Sequence, residues 1–131
     1  MTDVTISQQP TILLADDEIC VREITAEILQ GLGYRILQAA DGLEALKLFE
    51  QQRDDIVVLL LDVIMPHYNG LEVAERIRYA GSNVPIIFIS GYDKWHVLGT
   101  NTQPPNSIFL SKPINFNVLI QNVGNHFQDQ A

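Results

Sequence analysis

Residues 56–70 read IVVLLLDVIMPHYNG. The apolar run Ile56–Leu61 suits a strand buried on both faces, as in the middle of a parallel sheet. It ends on a carboxylate, Asp62, and burying a lone ionised carboxylate there is costly unless something compensates the charge. Met65-Pro66 then turns the chain away. Asn69-Gly70-Leu71-Glu72 carries the capping pattern that opens a helix through about Tyr79.

On both sides of this stretch the chain alternates between two hydrophobic periods. TILLA (11–15), YRILQA (34–39), PIIFIS (85–90) and SIFLS (107–111) read as further strands, with Pro85 at a first position where a missing donor is tolerated. The spacing predicts a helix over 18–32 whose core stripe is Ile19, Ile24, Ile28, Leu29 and Leu32, stopped by Gly33. Asp41 predicts a second helix start, with Glu44 completing a capping box. Ile114–Phe127 carries a closing helical stripe at 114, 118, 119, 123 and 127. In GYDKWHVLGTNTQPPN (91–106) only Asp93–Leu98 has room for a helix, before Gly99 and Pro104-Pro105. Five strands alternating with five helices predict an α/β, doubly wound, five-stranded parallel sheet. The expected organisation is a flexible extension over 1–10, one domain over 11–127 and a short tail over 128–131.

Composition narrows the function. Against 8 Lys and Arg stand 16 Asp and Glu, a net charge of −8. This argues against a nucleic-acid surface and suits divalent cations or a basic partner. The single cysteine, Cys20, excludes an internal disulfide and predicts a reducing, cytoplasmic setting, with the thiol expected to be buried and structural. The amino terminus has no signal-peptide pattern, and the longest apolar run is far below the ~20 residues of a membrane span. His67, His96 and His126 have no zinc-site spacing and read as solvated or packing residues.

In doubly wound sheets ligands gather at the carboxyl ends of the strands. Those ends carry Asp16-Asp17, Asp62, Ser90 and Lys112. Clustered carboxylates raise one another's pKa unless a cation neutralises them, and hard oxygen ligands favour Mg²⁺. An aspartate beside Mg²⁺, with an ammonium and a hydroxyl nearby, can attack a phosphoryl group and form an acyl phosphate. Taken alone, Asp16-Asp17 also reads as a helix cap, Asp62 as a turn residue and Lys112-Pro113 as a solvated loop. Their joint placement at four strand ends is what outweighs the blander readings.

LLADDE, AADGLEAL, LLLDVIMPHYNG, FISG and IFLSKP resemble, in order and spacing, the signatures of response-regulator receiver domains of two-component signalling. The likeness covers about residues 11–127, and the short segment at 91–105 is similar to receivers of hybrid histidine kinases. It implies a flavodoxin-like sheet in the order 2-1-3-4-5. It further implies a phosphoacceptor that catalyses only its own phosphorylation and dephosphorylation and is no enzyme otherwise. By resemblance Asp62 is the phosphoacceptor. Asp17 holds Mg²⁺ directly and Asp16 largely through water, with the Ile64 carbonyl completing the protein ligands. Lys112, followed by Pro113 in a bond that can be cis, pairs with the carboxylate and later with the phosphoryl oxygens. Ser90 and Phe109 are the switch pair. Ile64 and Tyr92 hold positions that tune attack by water, and their bulk predicts slow self-dephosphorylation.

The implied partners are a histidine kinase or histidine phosphotransfer protein and a downstream protein target, with no nucleic acid or membrane contact. An exposed part of the first helix is expected to dock the kinase. Tyr92 and Trp95 are expected to pack over the sheet edge. Two rivals were weighed. A Mg²⁺-dependent phosphohydrolase with an aspartate nucleophile wants a second acid two residues on, where Ile64 stands. A non-phosphorylated pseudo-receiver scaffold does not need Asp17, Asp62 and Lys112 together.

Overall fold

The computed structural model describes residues 9–99 and 101–130, and all their side chains except 95 and 126–130. Its elements are β1 (Thr11–Ala15), α1 (Ile19–Gln30), β2 (Arg35–Ala39), α2 (Gly42–Gln52), β3 (Ile56–Asp62), α3 (Gly70–Tyr79), β4 (Ile86–Ser90), α4 (Lys94–Leu98), β5 (Ser107–Ser111) and α5 (Phe116–Gln130). Residues 1–8 of the expected extension, and 131 of the tail, lie outside the described residues. All strand pairs are parallel, in the order β2-β1-β3-β4-β5, so the chain reverses direction across the sheet between β1 and β3.

Side chains alternate across a strand, so each face of the sheet has its own core. Leu13, Leu59, Leu61, Ile86 and Phe88 meet Ala45, Phe49, Val73 and Ile77 of α2 and α3. On the opposite face Ile12, Leu14, Leu60 and Ile87 meet Ala26 and Leu29 of α1 and Leu119 and Val123 of α5. The central run of β3 is buried on both faces, as its composition demands.

Local chemistry fixes the helix starts. Asn69 and Glu72 form a full capping box on α3. On α2 the box is displaced: Asp41 accepts from the Glu44 amide at 2.8 Å, but Glu44 takes its bond from the Ala40 amide, one residue earlier than expected. Asn115 caps α5, which starts at Phe116 and continues past Phe127 to Gln130.

The predicted stripe of α1 holds only in part: Leu29 is buried and Ile28 half-buried as expected. Ile19, Ile24 and Leu32 are exposed, at 56%, 53% and 53%, and the buried face is Thr25, Ala26 and Leu29. A helix lying close on a sheet needs small residues beneath it, and Thr25 is tolerated there because its hydroxyl donates to the Val21 carbonyl at 2.8 Å. Cys20 also faces outward, so the expectation of a buried thiol fails. The stretch after α4, where sequence signals are weakest, is held by side chain–backbone bonds. Arg78 donates to the carbonyls of Ser82, Pro105 and Asn106, and Asn106 donates to that of Asn83.

Candidate functional site

β3 delivers Asp62 to the carboxyl edge with 3% of its surface exposed. β4 and β5 pair Ser90 with Ser111, and the next amide, that of Lys112, donates to the Ser90 carbonyl at 2.8 Å. This register brings the Lys112 ammonium to 2.9 Å from Asp62 Oδ2. Asp62 Oδ1 accepts from the Ile64 amide at 3.3 Å. The Lys112–Pro113 bond is cis.

β1 ends at Ala15, so Asp16 and Asp17 open the loop beside β3. The Asp16 backbone is fixed on both sides: its amide donates to the Ala39 carbonyl at 3.1 Å and its carbonyl accepts from Arg22 Nη1 at 2.8 Å. Carboxylate oxygens of Asp16, Asp17 and Asp62 lie within 4.8 Å of one another. Burial, foremost, and the neighbouring Asp62 push the Asp16 carboxyl up to about 6, against the lowering effect of the Glu18 amide at 2.9 Å and of Lys112. Burial alone would lower the Lys112 pKa. The hydrogen bond that Lys112 donates to Asp62 and the charges of Asp62, Asp16 and Glu18 outweigh it and leave the ammonium more basic than usual.

The crowding of three carboxylates and the raised Asp16 carboxyl are what a bound cation would relieve. The oxygen donors and the lack of soft ligands fit Mg²⁺.

Ser90 is buried, and its Oγ accepts from the Tyr92 amide at 3.0 Å. Phe109 is half-buried on β5, its ring 4.8 Å from that of Phe88. Ile64 is 61% exposed. Tyr92 does not pack over the sheet edge: it is 56% exposed and stacks on the His96 ring at 5.0 Å. The Trp95 side chain lies outside the described residues. Asp16, Asp17, Asp62 and Lys112 therefore converge, Ser90 is tied to them through the Lys112 backbone, and Phe109 stands in the core below.

Two residues here escaped the sequence reading. Arg22 anchors the Asp16 carbonyl, and Glu18 Oε1 lies 3.8 Å from the Lys112 ammonium. The acidic run Asp16-Asp17-Glu18 was the only signal for the latter.

A family model described as response regulator receiver domain matches residues 12–124. The sensor kinase CckA of Brucella abortus (strain 2308) is 30% identical over 125 residues, 95% of this chain and 13% of that protein. The response regulator MprA of Mycobacterium sp. (strain KMS) is 43% identical over 82 residues, 63% of this chain and 35% of that protein. The chain thus spans about an eighth to a third of these curated relatives. The crystal structure of the receiver domain from the hybrid histidine kinase CckA is similar at a TM-score of 0.76 and 35% identity, covering 89% of this chain and 98% of that one. The Thermotoga maritima response regulator TrrA, in complex with Mg²⁺-BeF, has a TM-score of 0.74 and 33% identity, covering 88% and 97%.

Proposed function

The chain belongs to the response regulator receiver domain family of two-component signalling, and from that premise we propose that Asp62 is its phosphoacceptor. A carboxylate oxygen of Asp62 attacks the phosphorus of a phosphohistidine. The P–N bond breaks, the imidazole leaves with the electron pair, and an acyl phosphate forms on Asp62. Asp17, Asp62 and the Ile64 carbonyl would hold Mg²⁺ directly, with Asp16 largely through water. When bound, the ion supplies positive charge to the oxygens of the transferring group. Lys112 passes from the Asp62 carboxylate to a phosphoryl oxygen. Ser90 exchanges its bond from the Tyr92 amide for one to the phosphoryl group, and Phe109 follows into the space released. Exposed Ile64 and Tyr92 flank the site and hinder water, so the acyl phosphate is slow to hydrolyse.

The observation that carries this reading is the 2.9 Å pair between Lys112 and a buried Asp62, set inside a cluster of three carboxylates. The phosphohistidine partner, a histidine kinase or phosphotransfer protein, docks on an apolar groove of about 530 Å³ lined by Val21, Ile24, Pro113, Ile114 and Phe116, with Glu18 and Lys112 at its edge. A downstream protein reads the surface of α4 and β5. No helix among the described residues is long and apolar enough to cross a membrane. The exposed, free Cys20 suits a reducing cytoplasm.

The test is incubation with Mg²⁺ and radiolabelled acetyl phosphate. One alkali-labile label per chain, lost in Asp62→Asn and retained in Asp93→Asn, is the expected result. Equal labelling of Asp62→Asn would overturn the assignment.

A further inference from the structure

Glu18 occupies the position just before α1, where a side chain ordinarily caps the helix by accepting a backbone N–H. It makes no such bond. Its carboxylate instead leans over the adjoining loop to 3.8 Å from the Lys112 ammonium, whose other partner is Asp62 at 2.9 Å. Glu18 remains 63% exposed while Lys112 is largely covered, so the glutamate is the outer of the two. Asp62 is nearly inaccessible, whereas Asp17 and Glu18 beside it are exposed. Glu18 also lines the apolar groove.

The formal charges there are −1 each on Asp16, Asp17, Asp62 and Glu18 against +1 on Lys112. Three of the carboxylates surround the place a cation would take. The Glu18 charge lies outside that cluster, exposed and 3.8 Å from the ammonium, where it acts on a charged donor drawn to Lys112.

We propose that Glu18 is a donor-discriminating residue, which slows phosphoryl transfer from small, highly anionic donors and leaves transfer from a protein donor unhindered where that donor brings a basic side chain to meet it. This rests on the function proposed above. The repulsion scales with the product of charges, so the logarithm of the effect is twice as large for a dianionic donor as for a monoanionic one. It is also screened by salt, because the group is exposed. Acetyl phosphate is a dianion near neutral pH and gives up acetate with the P–O electron pair. Phosphoramidate carries net charge −1, its nitrogen already protonated, and releases ammonia as the P–N bond breaks. Both transfer the same group to the same Asp62 oxygen.

The experiment compares initial labelling rates from the two donors, at saturating Mg²⁺, in wild type, Glu18→Gln and Glu18→Lys. At low ionic strength Glu18→Gln is expected to speed acetyl phosphate about 10-fold and phosphoramidate about 3-fold. Glu18→Lys goes further in the same direction, and the differences shrink as salt shortens the Debye length from about 30 Å to about 3 Å. A merely structural role of Glu18 would change both rates by one factor, insensitive to salt, and that outcome overturns the proposal, as does no change at all. A wild-type chain that labels from neither donor overturns the phosphoacceptor reading itself, and this inference with it.

Discussion

A proton on Asp16 and a divalent cation beside it compete for the same oxygens. The folded carboxyl is raised to about 6 from 3.8, so between those values the folded chain holds a proton that the unfolded chain releases. The stability this provides is complete below the unfolded value and is lost as pH rises through about 6. Without metal the chain therefore carries a standing electrostatic cost at neutral pH, and Asp16→Asn is expected to remove it. The variant should melt about 3 °C higher than wild type at pH 7.5 in EDTA, a gain of about 1 kcal/mol after discounting solvent screening. Mg²⁺ should raise the wild-type melting temperature more at pH 7.5 than at pH 5, and in Asp16→Asn that difference should largely vanish. Equal shifts at both pH values would contradict the proton–metal competition. Ile64 and Tyr92 carry the lifetime prediction: wild-type acyl phosphate should persist for minutes, and Ile64→Ala or Tyr92→Ala should speed its decay about 3-fold by admitting water. Loss within seconds in the wild type, followed by gel or phosphate release, would refute it.

At the scale of elements, two glycines set how closely α2 and α3 approach the loop that follows Asp62. A Cβ on Gly70 would lie 2.6 Å from the Asp62 carbonyl oxygen, and one on Gly42 would lie 2.0 Å from that of Tyr68. Backbone cannot yield as a side chain can, so Gly70→Ala should cost about 2 kcal/mol or more in a urea melt. Gly124→Ala, in α5 with open space at its Cβ, should stabilise by about 0.5–1 kcal/mol. Arg78→Ala removes the donor to three loop carbonyls, and the amides of 101–106 should exchange faster while those of β3 stay protected. The inner strands β1, β3 and β4 were legible because burial on both faces leaves a nearly unbroken apolar run. The capping box on α3 was legible because it is entirely local. The face of α1 was legible only at Leu29: isoleucines carry the strongest hydrophobic signal, whereas Thr25 and Ala26 share the buried face with Leu29 because they are small. Asp16, Asp17, Asp62, Ser90 and Lys112 could be assembled from sequence because parallel topology sends every strand end to one edge. Glu18 and Arg22 could not, since their contacts depend on where the first turn of α1 stands relative to β5 and to the end of β1.

Taken whole, the molecule is a double-faced sheet with Asp16, Asp17, Asp62 and Lys112 at one rim. α3 is bound to that rim through the Gly70 amide on the Val63 carbonyl. α4 is five residues long and covers less. Fluoroberyllate with Mg²⁺, standing in for the phosphoryl group, should therefore perturb amide shifts across β4, α4 and β5 and leave the α2–α3 flank nearly unchanged. Uniform perturbation of both flanks would argue against a one-sided response. The amide of Lys112 is bonded to the carbonyl of Ser90, and their strands run in register below that bond. The two groups expected to grip the same phosphoryl oxygens are thus coupled through a backbone hydrogen bond between their strands. A pull on the hydroxyl drags the ammonium's strand, and a pull on the ammonium drags the hydroxyl's. Such a coupling favours an all-or-none response over a partial one, and the two groups are expected to move together.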